Sequence, residues 1–273
     1  MLEGSSRTLS VKLEKIIIPM AKGQRSRKAL KLAMDFSGEY GSELTAFTVK
    51  DSTRELTWSD KVHVVTSAYK IGKERNIKVI PKVSSNKSVK AGIVEEVKGR
   101  SYDLLLMASE SRSFFSKRIF GGMVDYVVRN VNIPVAALSI KTSGYPYSSI
   151  VFPMSERLNT KGSLSMALAI KKAIGKPLYI YDLRFIDPAP QHGFRLLNDN
   201  LDRIIEAYGG NINLVRVSEN TVPENFLKSE LAREKNSLLV LGIRTDNSGK
   251  VKVPSEVRNL EKSLPTDTLI VKK

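Results

Sequence analysis

No cysteine occurs among the 273 residues. Disulfides, thiolate metal sites and a cysteine nucleophile are therefore excluded, a composition that fits an intracellular protein. Imidazole is scarce too: His63 and His192 are the two histidines, too few and too distant in sequence for a histidine-based metal centre. The apolar runs are all of strand length, well short of the roughly 20 residues that a membrane-spanning helix needs. Residues 1–14 lack the apolar core of a secretory signal and read as a flexible leader. Missing as well are a Ser/His/Asp order, a zinc-ligand spacing and a lysine-containing phosphate loop, so the sequence reads as a binding protein rather than an enzyme. The acidic pair Glu95 and Glu96 belongs to a polar helix face shared with Lys90 and Lys98, a pattern of solvated charge.

Acidic residues are outnumbered, 28 against 44 Lys+Arg, for a formal net charge of +16. The residues up to Ser143 hold 25 basic and 14 acidic side chains and the remainder 19 and 14, so the excess is +11 in the first part and +5 in the second. No block of consecutive basic residues carries it. Two readings stay open: a solvated basic surface, or a face turned toward something anionic. Phe114 and Phe115 beside Arg112, Lys117 and Arg118 form a single aromatic-basic cluster, better read as packing over a sheet edge or a partner than as a nucleic-acid platform.

At this length the chain is too long for one average domain, since domains cluster near roughly 100–150 residues. Short apolar runs alternate with amphipathic segments. Ile16–Met20, Leu44–Val49 and Ile77–Val83 read as strands, and helices are expected between them. The first helix presents Ala29, Leu30, Leu32, Ala33 and Phe36 on one side, and the second presents Val62, Val65 and Tyr69 inward. This alternation predicts a parallel sheet with helices on both faces. A Gly- and Pro-containing linker, residues 142–148, breaks the pattern, and a second cycle begins: IVFPM at 150–154 repeats IIIPM at 16–20. An offset of 134 residues maps Pro19 onto Pro153, Gly41 onto Gly175, Leu44 onto Leu178, Val83 onto Val217, Leu104 onto Leu238 and Ala108 onto Gly242. Two copies of one fold are implied, at residues 15–141 and 149–273.

The organising stretch runs from Asp103 to Leu138. A buried strand, Leu104–Met107, enters a polar loop; Gly121 and Gly122 precede Met123, Tyr126, Val127 and Val131 at helical spacing; Ile133–Leu138 returns as a strand. A strand, a loop closing on a helix N-terminus and a parallel return strand make a unit suited to holding phosphates. Within it Ala108-x2-Ser111-x9-Gly121-Gly122 falls in the register of Gly-x2-Gly-x9-Gly-(Ser/Thr), and the flanks LLLMAS, FFSKRIFGG and DYVVRNVNIPVAAL match as well. In these residues the chain resembles the universal stress protein family, over 15–139 and more weakly over 149–272.

The resemblance implies an α/β fold class of two tandem Rossmann-like units. Each would be a five-stranded parallel sheet with about four helices, and the units would pair through their last strands as an intramolecular pseudo-dimer. It also implies ATP, ADP or AMP as ligand of the first unit, at Pro19, Met20, Ala21, Val49, Met107, Ala108, Ser109, Ser111, Lys117, Arg118, Gly121, Gly122 and Met123. The phosphates would lie on the amides near Ser109–Ser111 and on the helix after Gly122, and the base near Met20, Val49 and Met107. The sequence departs from the family where Ala108 and Ser111 replace glycines and where Ala21 stands for an aspartate. Both changes weaken the expectation of nucleotide binding, while Lys22, Lys117 and Arg118 favour a small anion. In the second unit no Gly-(Ser/Thr) pair opens the last helix, and no nucleotide is expected there. The expected context is a cytoplasmic regulatory, ligand-sensing domain of a cation or amino-acid transporter, with degenerate nucleotide motifs. Its partners would be the membrane-embedded part of that transporter, an anionic lipid surface at the inner face of the membrane, or further copies of the chain. The alternative is a free-standing cytoplasmic stress-response protein that binds ATP or AMP in the first unit.

Overall fold

The computed structural model describes residues 11–52, 56–110, 122–187, 194, 201–234, 236–246 and 250–272. The chain divides into two units, at residues 12–139 and 140–273. The first contains β1 (Lys15–Pro19), α1 (Gln24–Tyr40), β2 (Glu43–Asp51), α2 (Trp58–Glu74), β3 (Val79–Asn86), α3 (Val89–Lys98), β4 (Leu104–Glu110), α4 (Met123–Asn130) and β5 (Val135–Ile140). The second contains β6 (Ile150–Met154), α5 (Lys161–Ile174), β7 (Leu178–Asp182), α6 (Leu201–Tyr208), β8 (Ile212–Arg216), α7 (Pro223–Arg233), β9 (Leu238–Thr245), β10 (Val251–Lys252), α8 (Ser255–Ser263) and β11 (Asp267–Lys272).

The strand order is β3-β2-β1-β4-β5 in the first unit and, read from the matching edge, β8-β7-β6-β9-β11 in the second. Both are α/β units of one topology, with the order reversing between the first and fourth strands. The central strands are buried on both faces: Ile16, Ile17 and Ile18 of β1 and Leu104, Leu105 and Leu106 of β4 have no exposed surface, as a parallel sheet covered by helices requires. The register repeats under the offset as well. Ile16 pairs with Leu44 and Leu104, and Ile150 pairs with Leu178 and Leu238. The first helix of each unit closes on a left-handed glycine: Gly41 (φ 69°) donates its N–H to the Ser37 carbonyl, and Gly175 (φ 64°) to that of Lys171. A side chain at either position would meet open space but carry the strain of positive φ.

Three details differ from the sequence-based expectations. Thr48 pairs with Val83, whereas its counterpart Asp182 pairs with Arg216, so the repeat slips by one residue in β8 and recovers by β9. The slip moves the equivalent of Val83 from Val217 to Arg216. In α2 the buried face is Lys61, Val65, Ala68 and Gly72, while Val62 and Tyr69 are 47% and 43% exposed. Gly72 decides which face turns inward, because a Cβ there would lie 2.4 Å from Val79 Cγ2, and only a glycine lets the helix approach β3 so closely. Of the apolar residues at helical spacing after Gly122, Val127 is buried but Met123 is 40% exposed; Val124 and Val128 complete the buried face of α4. The second unit also carries an antiparallel strand, β10, paired with the end of β9.

Several phenols are held above their usual value, and this makes the fold sensitive to alkali. Tyr102 is pushed up to about 12 by burial and by its hydrogen bond to Glu96. Tyr147 is raised by burial and by Asp267, Tyr181 by burial and Glu230, and Tyr208 by burial. In the unfolded chain these groups ionise near 10.0, so the stability they confer is complete below that pH and is lost as pH rises through the folded values. Lys141, Lys171 and Lys272, lowered from 10.5 by burial, act in the opposite sense up to that pH and contribute nothing further above it. Melting temperature should hold up to about pH 10 and then fall steeply, with phenolate absorbance appearing together with the unfolding signal. Full phenolate formation near pH 10 in a protein that still melts cooperatively would contradict the assignment.

Candidate functional site

In open α/β sheets ligands lie beyond the carboxyl ends of the strands, where the strand order reverses. In the first unit that place is the mouth between β1 and β4. Pro19 closes β1 opposite Phe47, and Met20 donates its N–H to the Phe47 carbonyl at 2.6 Å. The next turn is folded on itself, with Ser26 Oγ donating to the Ala21 carbonyl at 2.7 Å. A cavity of about 120 Å³ opens beside it, lined by Ala21, Lys22, Thr48, Leu56, Asp60, Lys61 and Val64. The Asp60 carboxylate accepts from the Thr57 hydroxyl (2.8 Å) and N–H (3.0 Å) in a capping box at the start of α2. Those two bonds, with a smaller contribution from Lys22, hold it below the usual carboxylate range.

Of the residues singled out in the sequence, Ala21 lines this cavity. Met20 and Met107 are packed at 7% and 1% exposure. Val49 faces α3, where a Cβ on Gly92 would meet its methyls at 2.8 and 2.9 Å. Ala108 and Ser109 lie on β4, with Ser109 buried. Gly122 is the N-cap of α4 in extended conformation (φ −71°), a conformation open to any residue, and Met123 follows as the first helical residue. Ser111, Lys117, Arg118 and Gly121 lie outside the described residues, as do Phe114, Phe115 and His192.

The corresponding mouth of the second unit is larger, although the sequence pointed to no ligand there. A cavity of about 410 Å³ is lined by Glu156, Thr160, Lys161, Gly162, Phe194, Ile243, Arg244 and Thr245. This lies within the range of small-molecule sites, roughly 300–1,000 Å³, and the cavity of the first unit lies below it. Phe194, 2% exposed, packs edge-on against Phe152 with ring centroids 6.0 Å apart and supplies an apolar wall with Ile243. Arg244 reaches across to donate to the Glu156 carbonyl at 2.8 Å, and its guanidinium lies 3.4 Å from the Glu156 carboxylate. Lys161 opens α5, whose first turn is closed by a Thr160–Ser163 capping box.

Ser155 holds the position equivalent to Ala21, where family members carry a carboxylate. A carboxylate does reach this turn, but from elsewhere: Asp187 accepts from the Ser155 hydroxyl (2.8 Å) and from the Glu156 and Arg157 N–H groups (both 3.1 Å). Three donors occupy it, so it fixes the turn. Gly242, the one motif glycine that this half retains, has a packing reason. A Cβ there would fall 2.7 Å from Ser163 Oγ and 2.9 Å from the Thr160 nitrogen. Gly242 was singled out in the sequence through the repeat; its contact with the capping pair Thr160 and Ser163 was not.

The arrangement offers two cations, one carboxylate, two hydroxyls and an apolar wall, which suits recognition of a small polar or charged ligand. Among the described residues no group of three or more His, Asp or Glu side chains is placed to hold a metal, and no helix is long and apolar enough to cross a membrane. His63 lies on the exposed side of α2.

Residues 12–139 match the model of the universal stress protein family. No curated protein matches the chain. Among solved structures, a protein of unknown function from Pseudomonas aeruginosa PAO1 is similar over 98% of this chain and 95% of its own, at 16% identity and a TM-score of 0.63. A universal stress protein from Archaeoglobus fulgidus DSM 4304 covers 96% and 99%, at 15% identity and 0.59. The cytoplasmic domain of a prokaryotic cation chloride cotransporter covers 95% of each chain, at 13% identity and 0.60. These likenesses span both units and so extend the fold to the second half. Residues 12–139 thus form a domain of the universal stress protein family, and the chain carries that fold in two tandem units.

Proposed function

We propose that the chain is a regulatory, ligand-sensing module of a membrane transporter for cations or amino acids, acting on the cytoplasmic side by binding rather than by turnover. The observation that carries the sensing role is the cavity of about 410 Å³ in the second unit, with Lys161, Arg244 and Glu156 at its rim and Phe194 at its wall. It has the size and mixed lining of a small-ligand site, and the residues around it supply no nucleophile paired with a base. The transporter context draws on the two-unit likeness to a cotransporter's cytoplasmic domain, and the net charge of +16 suits a place beside anionic headgroups. An antibody raised against the purified module tests the context in fractionated cells of the source organism. The expected result is a polypeptide well above the size of this chain, in the membrane fraction and released by detergent alone. A soluble band of the chain's own size would overturn the transporter reading and leave a free-standing stress protein.

A further inference from the structure

Three large side chains of α2 are turned outward together. Trp58 is 50% exposed, Val62 47% and Tyr69 43%, against 2% for Val65 on the same helix. At 100° per residue the three fall within an arc of about 40°, bordering the buried face, along roughly 16 Å of helix. Lys73 lies at the edge of the arc and Lys70 beyond it, both exposed. The two acids of the helix lie away from the stripe: exposed Glu74 about 120° round from it, beside Lys70, and Asp60 about 160° round and engaged by Thr57. Packing gives no reason for such a stripe: Gly72 and Val65 already seat α2 on the sheet, and Trp58 is the single tryptophan of the chain.

We propose that this stripe is a lipid-contacting surface, by which the first unit rests on an anionic bilayer with Trp58 and Tyr69 at headgroup depth and Lys70 and Lys73 against the phosphates. Tryptophan and tyrosine have an apolar body with a polar tip, which is the chemistry of the membrane interface. Charge complementarity selects an anionic surface, since the residues up to Ser143 carry a net +11. Area argues against a protein occupant: three half-exposed side chains offer on the order of 250 Å², far below the roughly 800 Å² per partner of a stable interface. A bilayer needs no such area, because lysines around the stripe add their attraction to the anionic headgroups.

The inference rests on the reading that the module works at a membrane, and its test is separate from that of the transporter context. Trp58 serves as the reporter without labelling. The intact chain is titrated at low salt with phosphatidylcholine vesicles, with and without phosphatidylserine, while its emission and its pelleting are followed. The expected result is a blue shift and pelleting with phosphatidylserine only, reversed by salt. The double variant Val62→Ser, Tyr69→Ser keeps the reporter and changes exposed positions only, and it should partition roughly tenfold more weakly. No shift with phosphatidylserine vesicles, or an equal shift with uncharged ones, overturns the proposal. A blue shift that grows with protein concentration in the absence of lipid also overturns it, since a second copy would then cover the stripe. If the vesicles fail while the antibody finds a membrane polypeptide, the transporter reading stands without a lipid contact; if the vesicles bind while the cellular band is soluble, the surface stands without the transporter.

Discussion

Asp267→Ala should cost the second unit on the order of 4 kcal/mol or more, a large part of the roughly 5–15 kcal/mol that holds a domain folded. Asp267 has no exposed surface. Its Oδ1 accepts the N–H groups of Lys141 and Thr142, both at 2.8 Å, and the Thr142 hydroxyl at 3.1 Å; Oδ2 accepts the Tyr147 hydroxyl at 2.9 Å. One carboxylate at the start of β11 thus organises the segment that enters β6. Tyr147 has no exposed surface either, and Lys141 Nζ donates to the carbonyls of Glu261 and Leu264. Alanine would leave two part-buried backbone donors and a buried phenol without this acceptor, at about 1–3 kcal/mol each. Tyr147→Phe removes the phenol's bond to Asp267 and should cost about 1–2 kcal/mol, and Asp267→Asn should fall between the two. Urea unfolding of the three variants checks the order. An alanine variant within about 1 kcal/mol of the parent would show that water replaces the carboxylate and that the segment is held by packing.

How much of this was legible in the sequence depended on whether the deciding contact was local. The alternation of strands and helices, the α/β class and the repeat were legible, because IIIPM and IVFPM, and Gly41 and Gly175, carry their meaning in their own positions. The slip in β8 was not, since a one-residue change in a loop leaves the flanking patterns intact. The inner face of α2 was misread for a physical reason: Trp58, Val62, Val64, Val65, Ala68, Tyr69 and Ile71 spread apolar groups over about half of the helix circumference, wider than the face that packs. Periodicity then cannot choose, and the choice falls to Gly72, whose partner Val79 lies across a turn. The site shows the same division. Ala21 lies two residues past the end of β1, but the carboxylate that reaches the equivalent turn of the second unit comes from Asp187, 32 residues beyond Ser155, and no spacing announces it. The larger cavity owes its wall to Phe194 and its rim to Arg244, and a motif search centred on glycines passes over both.

Gly242→Ala should destabilise the second unit by about 2–3 kcal/mol and distort the cavity beside it. The new methyl would lie 2.7 Å from Ser163 Oγ, 2.9 Å from the Thr160 nitrogen and 3.1 Å from the Asn159 Cα, and two of these are backbone. Ser163 Oγ cannot swing away without loss, because it accepts the Thr160 N–H at 2.8 Å and so closes the N-terminus of α5. The helix must therefore move off the sheet, taking with it Thr160, Lys161 and Gly162, which line the cavity. At the same offset in the first unit Ala108 stands for Gly242, and Ala29 stands for Ser163. The offset thus pairs glycine with serine in one unit and alanine with alanine in the other, at equivalent positions of the fourth strand and the first helix. Ser163→Ala alone should cost about 1 kcal/mol through the lost cap, yet it should recover part of the stability lost by Gly242→Ala when the two are combined. A favourable coupling of about 1 kcal/mol in a double-mutant cycle, read by urea unfolding, is the expected outcome. Strict additivity would mean that the backbone of Thr160 and Asn159 sets the whole cost, and that Ala108 is tolerated in the first unit through a different seating of α1.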